Sequence, residues 1–595
     1  MLYCKSWNMN KKYILKNIFN AIISFIFIIG INLNMDKNMT FMQSLQCNSY
    51  IYIVEYLICF YFINLLLKNS INKRLIICVS ILSFMFSLFE VIGFSINNYM
   101  NLSGIISTTN TFIKAGFKFL ANFILFFVLL AFIFEKMSNV NHPIKTSYSL
   151  KKIKKFSILV FILCFICYTL YLLSYFPGML SFDSLFQIQQ GLGMYEMTSH
   201  HPIFHTLVIT LCMKLGVICF NSYEIGTAIF SLLQILFMSF TFSFTIYYLL
   251  RKGLPKILII FSSIFYIFYP VMAIYSITMW KDVPFALMFN LLLIIVYEII
   301  INKDNFMKSK KNLVLLSFVM LLFSLFRNNG IYIIIIGIVP IFIYCKKYWK
   351  QILICFVLVF LIYQFINGPL LNMLNIKKGS IREALSVPLQ QMARVVKNER
   401  ENITDEKYKE IISFINCDDI ASSYNPVLSD PIKECFNDNY FSENKFKFIK
   451  LWISLGIQFP KQYIESFLCN TVGYWYPETV HTVVTRNIYN FEDGILIVQR
   501  DLINVGLLKK YDSIIEMRNI PVISMLFSIG FFVWILFISC MYCIYIRDYK
   551  KMLLYIFVFA LWLTVLASPV HAEYRYIFGL FTAMPLILSC TIYRK

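Results

Sequence analysis

Charged residues are scarce in this chain. Asp, Glu, Lys and Arg make up 14% of its 595 residues, whereas hydrophobic residues make up 59% and the mean hydropathy is +0.70. A soluble fold has too little interior to bury so much apolar surface. The alternation of polar and apolar residues that marks a transmembrane β-barrel is also lacking. Because many apolar stretches reach the roughly 20 residues that cross a bilayer core, the sequence predicts an all-α polytopic membrane protein.

Acidic residues are fewer than basic ones, 31 against 53, so the formal net charge is +22. In a soluble protein this excess would suggest nucleic acid as a partner. Here the basic residues are concentrated in short loops between apolar stretches, such as 68–74, 151–155, 251–256 and 303–311. Short basic loops are typical of the cytoplasmic side of a membrane. The charge therefore predicts topology in a lipid bilayer, and we expect no nucleic acid partner.

The small residues of a signal-peptidase site are lacking after the first apolar run, 14–34, so we expect an uncleaved first span. The run 203–220 is predicted to lie along the interface, because the basic loop 251–256 then falls inside with the others. This predicts a multi-pass cell-membrane protein with both termini in the cytoplasm. The predicted spans number about fourteen: 14–34, 49–67, 75–97, 115–134, 156–175, 224–250, 257–278, 283–301, 312–330, 331–345, 350–368, 521–546, 551–568 and 575–592.

The longest polar stretch, 370–520, is long enough for a domain and carries helical patterns. We predict that it is extracytoplasmic and mainly helical. Most of the 16 cysteines lie in apolar runs, but Cys417 and Cys435 lie in this region, and the sequence alone leaves open whether they pair. The predicted domains are a four-helix membrane module at 1–137, a membrane core at 152–369 with an outer loop at 176–223, the domain at 370–520, and the C-terminal membrane helices at 521–595.

Histidine is rare, with six residues in the chain, yet three lie within 176–206, a stretch that has no Lys or Arg. His201 and His205 are one helical turn apart, a spacing that suits a metal ion, although the HExxH motif is lacking. Hydrogen bonding or phosphate binding by His200, His201 and His205 is the alternative that we favour. Anchoring at the membrane interface is the third.

Asp183 follows Phe176-Pro177-Gly178, just beyond a predicted span. A carboxylate at the boundary between water and membrane is expected to have a raised pKa and to serve as a general base. The structural alternative is that Asp183 caps a short helix. Both roles are compatible.

Cations follow at three predicted outer span ends, where the positive-inside bias disfavours them. Lys281 and Asp282 form a short outer turn, either as an exposed ion pair or as a phosphate-binding cation that Asp282 orients. Arg327 ends a fully apolar span. Arg575 begins the last span, beside His571 and Glu573. We expect Lys281, Arg327 and Arg575 to line one pocket with Asp183 and bind phosphate, although snorkelling anchors are the alternative.

An acid in the first outer loop, a HisPro-led interfacial helix, an outer Lys-Asp turn and an outer domain together resemble the GT-C superfamily of membrane glycosyltransferases. Several local motifs are closer still to an uncharacterised bacterial family of polytopic membrane proteins. The resemblance extends over about 152–595. The motifs are PGMLSFDSLFQIQQ, HHPIFHTL, MWKDVPFA, RNNG, SVPLQQMARVV, GYWYP and PVHAEYRY.

The resemblance implies transfer of a sugar from a polyprenyl-phosphate-linked donor to an extracytoplasmic acceptor, which could be a cell-surface glycan, a lipid or a protein. By its place in the motifs, Asp183 matches the acid that acts as base or metal contact, and Lys281 matches the cation near the donor phosphate. Ser184 stands where several members have a second acid, and this departure counts against a divalent metal. A metal is possible, but no cofactor is certain. The alternatives are a transporter or flippase of lipid-linked glycans and a non-catalytic membrane scaffold.

Overall fold

A computed structural model describes residues 2–45, 49–68, 72–139, 148–479, 497–503, 519–520, 522–570 and 572–592, with side chains described from Lys16 onward. In these ranges all extended elements are helices, and residue pairs such as Met179–Thr278 form only isolated β-bridges. The chain is therefore a helical polytopic membrane protein. The helices of three turns or more, and one shorter helix that completes a bent pair, are α1 (Leu2–Ile31), α2 (Ser49–Lys68), α3 (Lys73–Tyr99), α4 (Thr109–Asn139), α5 (Leu150–Ser174), α6 (Phe182–Gly191), α7 (Ile203–Phe220), α8 (Tyr223–Arg251), α9 (Lys256–Phe268), α10 (Pro270–Ser276), α11 (Asp282–Lys308), α12 (Lys310–Phe326), α13 (Gly330–Tyr344), α14 (Trp349–Phe365), α15 (Ser386–Glu399), α16 (Asp405–Phe414), α17 (Lys445–Gln458), α18 (Pro460–Thr471), α19 (Ile529–Tyr545), α20 (Met552–Ala567) and α21 (Tyr574–Ile592).

Short helical segments join these helices. They are Phe41–Ser44, Ser103–Ile106, Leu371–Met373, Ile420–Ser423, Asp430–Glu434, Asp438–Glu443 and Ile523–Leu526, the 3₁₀ turns Lys346–Tyr348, Ile381–Leu385, Arg400–Asn402, Val472–Tyr474 and Tyr549–Lys551, and the π turn Ile366–Leu370.

The number of membrane spans follows from helix length and composition. In the described ranges, nine helices are long and apolar enough to cross a membrane, or ten if a bent pair counts as one span. The predicted count of fourteen stays a prediction. Helix α7 is one of the nine by this criterion. The interfacial position predicted for it is untested.

The predicted span 257–278 is broken in the structure. Helix α9 ends at Phe268, and α10 begins at Pro270 after a bend of 50°. Proline lacks a backbone N–H and its ring collides with the preceding turn, so a continuous helix cannot pass through this position undistorted. The predicted span 257–278 is thus a bent pair of helices, and the bend places residues 277–281 beside the candidate site.

The chain forms two compact units that do not follow the predicted domain boundaries. The first comprises residues 1–141, 387–479 and 533–548, so the N-terminal membrane module and most of the predicted outer domain belong to one unit. Its N-terminal helices pack around α4, and Phe86 stacks on Trp534 with ring centroids 4.2 Å apart. A disulfide joins Cys417 to Cys435 in this unit, which settles the pairing that the sequence left open.

The second unit comprises 142–386, 480–532 and 549–595. Helix α11 is its centre, because nearly every side chain from Val283 to Ile300 is buried against α8, α12, α20 and α21. Such all-round burial explains why α11 is apolar on every face. The ends of α11, α12 and α21 meet near the start of α6, and these four helix ends hold the predicted site residues.

Candidate functional site

The segment before α6 is attached to the turn before α11 by backbone hydrogen bonds. Met179 donates to the carbonyl of Ile277 at 2.8 Å, and Met279 donates to the carbonyl of Met179 at 3.0 Å. The Trp280 indole N–H donates to Ser181 Oγ at 2.6 Å, and Ser184 Oγ–H donates to the Met279 carbonyl at 2.7 Å. These bonds fix the distance between the start of α6 and Lys281.

Helix α6 begins with a capping box formed by Ser181 and Ser184, whose side chains satisfy backbone N–H groups of the first turn. Ser181 is the N-cap, so the predicted short helix is confirmed while the capping role falls to Ser181. Asp183 lies in the first turn, where the helix dipole favours a carboxylate. Ser184 is buried and fully used in the cap, which explains why the helix can do without a second acid there.

Two cations contact the carboxylate of Asp183. Arg575 NH1 lies 2.9 Å from Asp183 Oδ2, and Lys281 Nζ lies 3.9 Å from the same oxygen. The other oxygen, Oδ1, has no partner among the described residues. The Asp183 side chain is 30% exposed, and the two cationic side chains are 16% exposed. The structure thus brings Asp183, Lys281 and Arg575 together.

The predicted rise in the pKa of Asp183 is wrong. Burial alone would raise the pKa of this carboxyl, but Lys281, Arg575 and His201 outweigh burial and hold the pKa below its ordinary value. Asp183 is therefore ionised throughout the physiological range. Burial also lowers the pKa of the Lys281 ammonium, and the nearby carboxylate of Asp183 offsets part of this shift.

Asp282 does not orient Lys281 as predicted. Its side chain is 1% exposed, and Arg327 NH1 lies 2.9 Å from Asp282 Oδ1, so Asp282 pairs with Arg327. Neither oxygen of Asp282 makes a hydrogen bond of good geometry with any described residue. The alternative of an exposed Lys281–Asp282 ion pair is also wrong, because Lys281 contacts Asp183 and His201 instead.

Arg575 has a second acidic partner. Its Nε lies 3.3 Å from Glu573 Oε2, and its NH2 donates to the Tyr576 hydroxyl at 2.8 Å. The Tyr576 ring also packs against Arg327, whose guanidinium lies 4.7 Å from the ring centroid. The cluster thus contains three acids and three bases, and its formal charge is balanced. His571 lies outside the described residues.

The three histidines of the 176–206 stretch have separate surroundings. His201 is buried, and its Nδ1 lies 2.9 Å from Lys281 Nζ, which identifies it as the acceptor from the ammonium group. Burial and then Lys281 lower the pKa of His201 to about 2, so the ring is neutral. His205 is fully buried, with Nδ1 3.2 Å from Gln187 Oε1, while His200 is exposed. The predicted helix start after Pro202 is confirmed, since α7 begins at Ile203.

A cavity of about 740 Å³ borders Asp183. Its walls are the first turns of α6, the loop that carries His200 and His201, and residues 378–382. Lys281, Arg327 and Arg575 do not line it, so the expectation that these three cations face the pocket is wrong. Lys378 and Arg382 line it instead, and Lys378 has no acidic partner among the described residues. The sequence analysis did not identify either residue. Both follow the predicted span 350–368, so the argument from the positive-inside bias that identified Arg327 applies to them equally.

The wall at 378–382 is attached to the histidine loop. Ser199 donates to the Lys377 carbonyl at 2.8 Å, and the Gly379 N–H donates to Ser199 Oγ at 3.0 Å. Lys377 also forms an ion pair with Glu196. Between this loop and α6, Gly193 turns the chain with a φ of +79°, a left-handed conformation that favours glycine.

The sequence profile of a family of unknown function, DUF6020, matches residues 193–595. This chain belongs to that family. The DUF6020 match includes the three histidines, Lys281, Arg327, Lys378 and Arg575, and it begins after Asp183. No curated protein and no solved structure matches the chain significantly.

A divalent metal does not fit the site of this DUF6020 member. Within the described ranges, no three His, Cys, Asp or Glu side chains are placed to hold a metal ion. Asp183 would have to be the main acidic ligand in such a set. It already contacts Lys281 and Arg575, whose positive charges repel a metal cation. His201 and His205 are committed to Lys281 and Gln187 rather than to a shared ion.

Proposed function

We propose that this protein is a GT-C-type membrane glycosyltransferase that moves a sugar from a polyprenyl-phosphate-linked donor to an extracytoplasmic acceptor in the cell envelope. The observation that carries this proposal is the shared cavity of Asp183, Lys378 and Arg382. An ionised carboxylate and two cations around one cavity supply the two charges that glycosyl transfer needs. The motif resemblance to the superfamily supports the same reaction.

In this reaction an acceptor hydroxyl oxygen attacks the anomeric carbon, and the bond from that carbon to the phosphate oxygen breaks. The hydroxyl proton passes to Asp183, and the electron pair of the broken bond leaves with the phosphate. The transition state resembles an oxocarbenium ion. Because phosphate leaves as a stable anion, no general acid is needed, and one carboxylate acting as base suffices. Inversion at the anomeric carbon follows from this single displacement.

We assign the donor phosphate to Lys378 and Arg382 rather than to the inner cations. Arg327 is neutralised by Asp282, and Arg575 by Glu573 and Asp183, so the inner cluster offers no net positive charge. Lys378 and Arg382 are less engaged, since within the described ranges the acid paired with Arg382 is Glu383 at 3.8 Å. Arg382 is 33% exposed, which leaves it open to a ligand.

The low pKa of Asp183 is compatible with its role as a base. A bound donor adds negative charge to the cavity, which weakens the effect of Lys281 and Arg575 and raises the pKa of Asp183. The carboxylate then becomes a better proton acceptor when the substrate is present. Lys281 and Arg575 act as positioning residues, because they hold Oδ2.

We also infer that the site lies on the outer side of the cell membrane, with both termini in the cytoplasm. The basic loops support this orientation. The Cys417–Cys435 disulfide supports an outer position for residues 387–479, since disulfides persist mainly outside the cytosol.

The test compares Asp183→Asn with Asp418→Asn, a control that removes the same charge from an exposed acid with no ion pair in the described chain. A strain that lacks the protein should lose one envelope glycan component, detected by mass spectrometry. The wild type and Asp418→Asn should restore it. Asp183→Asn should fold normally but lower transfer by ~10²–10⁴, the usual loss for one positioned base.

Full restoration by Asp183→Asn would refute the assignment of the base. In proteoliposomes, passage of an intact lipid-linked sugar across the bilayer without transfer to an acceptor would instead favour the transporter. Release of polyprenyl phosphate in step with glycosylated product would support the transferase.

A further inference from the structure

A second cavity, of about 610 Å³, lies between the first turns of α5, the end of α8 and the start of α9. Its walls are apolar and include Ile153, Leu159, Leu250 and Ile259. Ile162 also lines it, ten residues beyond Lys152 along α5. The cavity therefore extends about 15 Å along α5, at 1.5 Å per residue.

Three lysines line one end of this groove. Lys152 and Lys155 belong to the first two turns of α5, and Lys256 begins α9. All three side chains are exposed, and none forms an ion pair within the described part of the chain. Three unneutralised cations at one end of an apolar groove match a ligand with an anionic head and an apolar chain.

The groove opens onto a surface suited to lipid. Ile158 beside it is 57% exposed, and Ile260 on α9 is 47% exposed. Both helices belong to segments apolar and long enough to cross a membrane. An acyl chain in the groove is thus continuous with the lipid around the helices, whereas a protein partner would have to displace that lipid.

We propose that this groove is a binding site for an anionic phospholipid, with the phosphate on Lys152, Lys155 and Lys256 and one acyl chain along Ile153, Leu159 and Ile162. The site is distinct from the transferase cavity. Helix α5 has 25 residues and is therefore about 37 Å long, with the groove at its first turns and Asp183 in the chain beyond its last turn. Because this length exceeds the hydrocarbon core of a bilayer, we assign the groove to the leaflet opposite the transferase cavity.

The test uses the purified full-length protein and native mass spectrometry with two probes of equal chain length, phosphatidylglycerol and phosphatidylcholine. The wild type should bind phosphatidylglycerol more tightly. The variant Lys152→Gln/Lys155→Gln/Lys256→Gln should lose roughly tenfold or more of this affinity, given the contribution of each lysine to anionic lipid binding. Leu159→Trp, which fills the groove at a position that is 47% exposed, should weaken binding of both lipids.

The matched control is Lys308→Gln/Lys310→Gln/Lys311→Gln, which removes the same charge from a basic loop that does not line this groove. It should leave phosphatidylglycerol affinity within about twofold of the wild type, since surface charge alone contributes weakly beyond a Debye length. Equal losses in the two triple variants would overturn the proposal in favour of non-specific attraction. Equal affinity of the wild type for both lipids would overturn it too, as would a preference for polyprenyl phosphate over phosphatidylglycerol.

Discussion

Each unit of the protein has a buried acid paired with an arginine, and the two pairs differ in how their atoms are satisfied. In the first unit, Arg394 donates to Glu465 at 2.6 Å, Gln462 at 3.2 Å, the Tyr424 hydroxyl at 3.3 Å and a backbone carbonyl at 3.1 Å. In the second unit, Asp282 is equally buried but is contacted by Arg327 without a hydrogen bond of good geometry.

We interpret this difference as that between a structural ion pair in the first unit and, on the proposed function, a pair that serves the transferase site in the second. A buried charge is tolerated when hydrogen bonds satisfy it, and Arg394 is satisfied on every side. Under-satisfied buried groups are retained where they do something other than stabilise the fold. Among the described residues, neither oxygen of Asp282 nor the Arg575 Nε makes a hydrogen bond of good geometry, and both residues belong to the cluster around Asp183.

The largest effect that tests this comparison is expected from Glu465→Gln. This change leaves Arg394 charged and buried without its main partner, and breaking a buried pair costs about 3–5 kcal/mol. Thermal unfolding in detergent, followed by tryptophan fluorescence, should show a clear loss of stability. An unchanged midpoint would mean that the pair is not structural.

The matched substitution in the second unit, Asp282→Asn, is expected to cost less stability, about 1–2 kcal/mol. The Asp282 oxygens make no hydrogen bonds that the change would break, and Arg327 is 15% exposed rather than fully enclosed. We expect a larger effect on transfer activity than on the free energy of unfolding, because Arg327 and the Tyr576 ring lose their fixed positions. Equal stability losses for Asp282→Asn and Glu465→Gln would remove the distinction between the two pairs.

A smaller effect is expected from Lys378→Gln and Arg382→Gln. Each removes one charge from the proposed phosphate wall, so the KM for the donor should rise roughly tenfold with little change in kcat. Lys397→Gln, a control in the first unit, should leave KM unchanged. A fall in kcat without a rise in KM would place the donor phosphate elsewhere.

The smallest effect concerns pH. Neighbouring cations hold the pKa of Asp183 below its ordinary value, so the carboxylate is ionised at any pH above this lowered pKa. Transfer should be lost as the pH falls through the pKa, because a protonated carboxyl cannot act as the base. Lys281→Met removes the largest attraction that holds the pKa down and should move the acidic limb of the kcat/KM profile to higher pH. A limb that does not move, or that moves to lower pH, would show that Asp183 is not the titrating group.

Local pattern predicted much of the fold, because apolar runs act within a few residues. Helices α8, α20 and α21 begin and end close to their predicted bounds, whereas α5 begins at Leu150 rather than at 156. Part of the site was predicted, because the burial of a residue can be inferred from its position along a membrane span. The pKa of Asp183 was not predicted, because Lys281 and Arg575, which lower it, lie far away along the chain, Arg575 by 392 residues. Long-range pairing of this kind leaves no local signal in one sequence.

The two attachments around the cavity have a consequence for how relatives of this chain can diverge. The start of α6 is held to residues 277–279, and the loop at 199 is held to residues 377–379, so the turn through Gly193 is the segment that spaces these two supports. A longer turn would widen the gap between the two supports, and a shorter turn would narrow it. Neither change would alter a reactive group. On the proposed function, a change in this one loop length would let the cavity take acceptors of different bulk while leaving Asp183 in place.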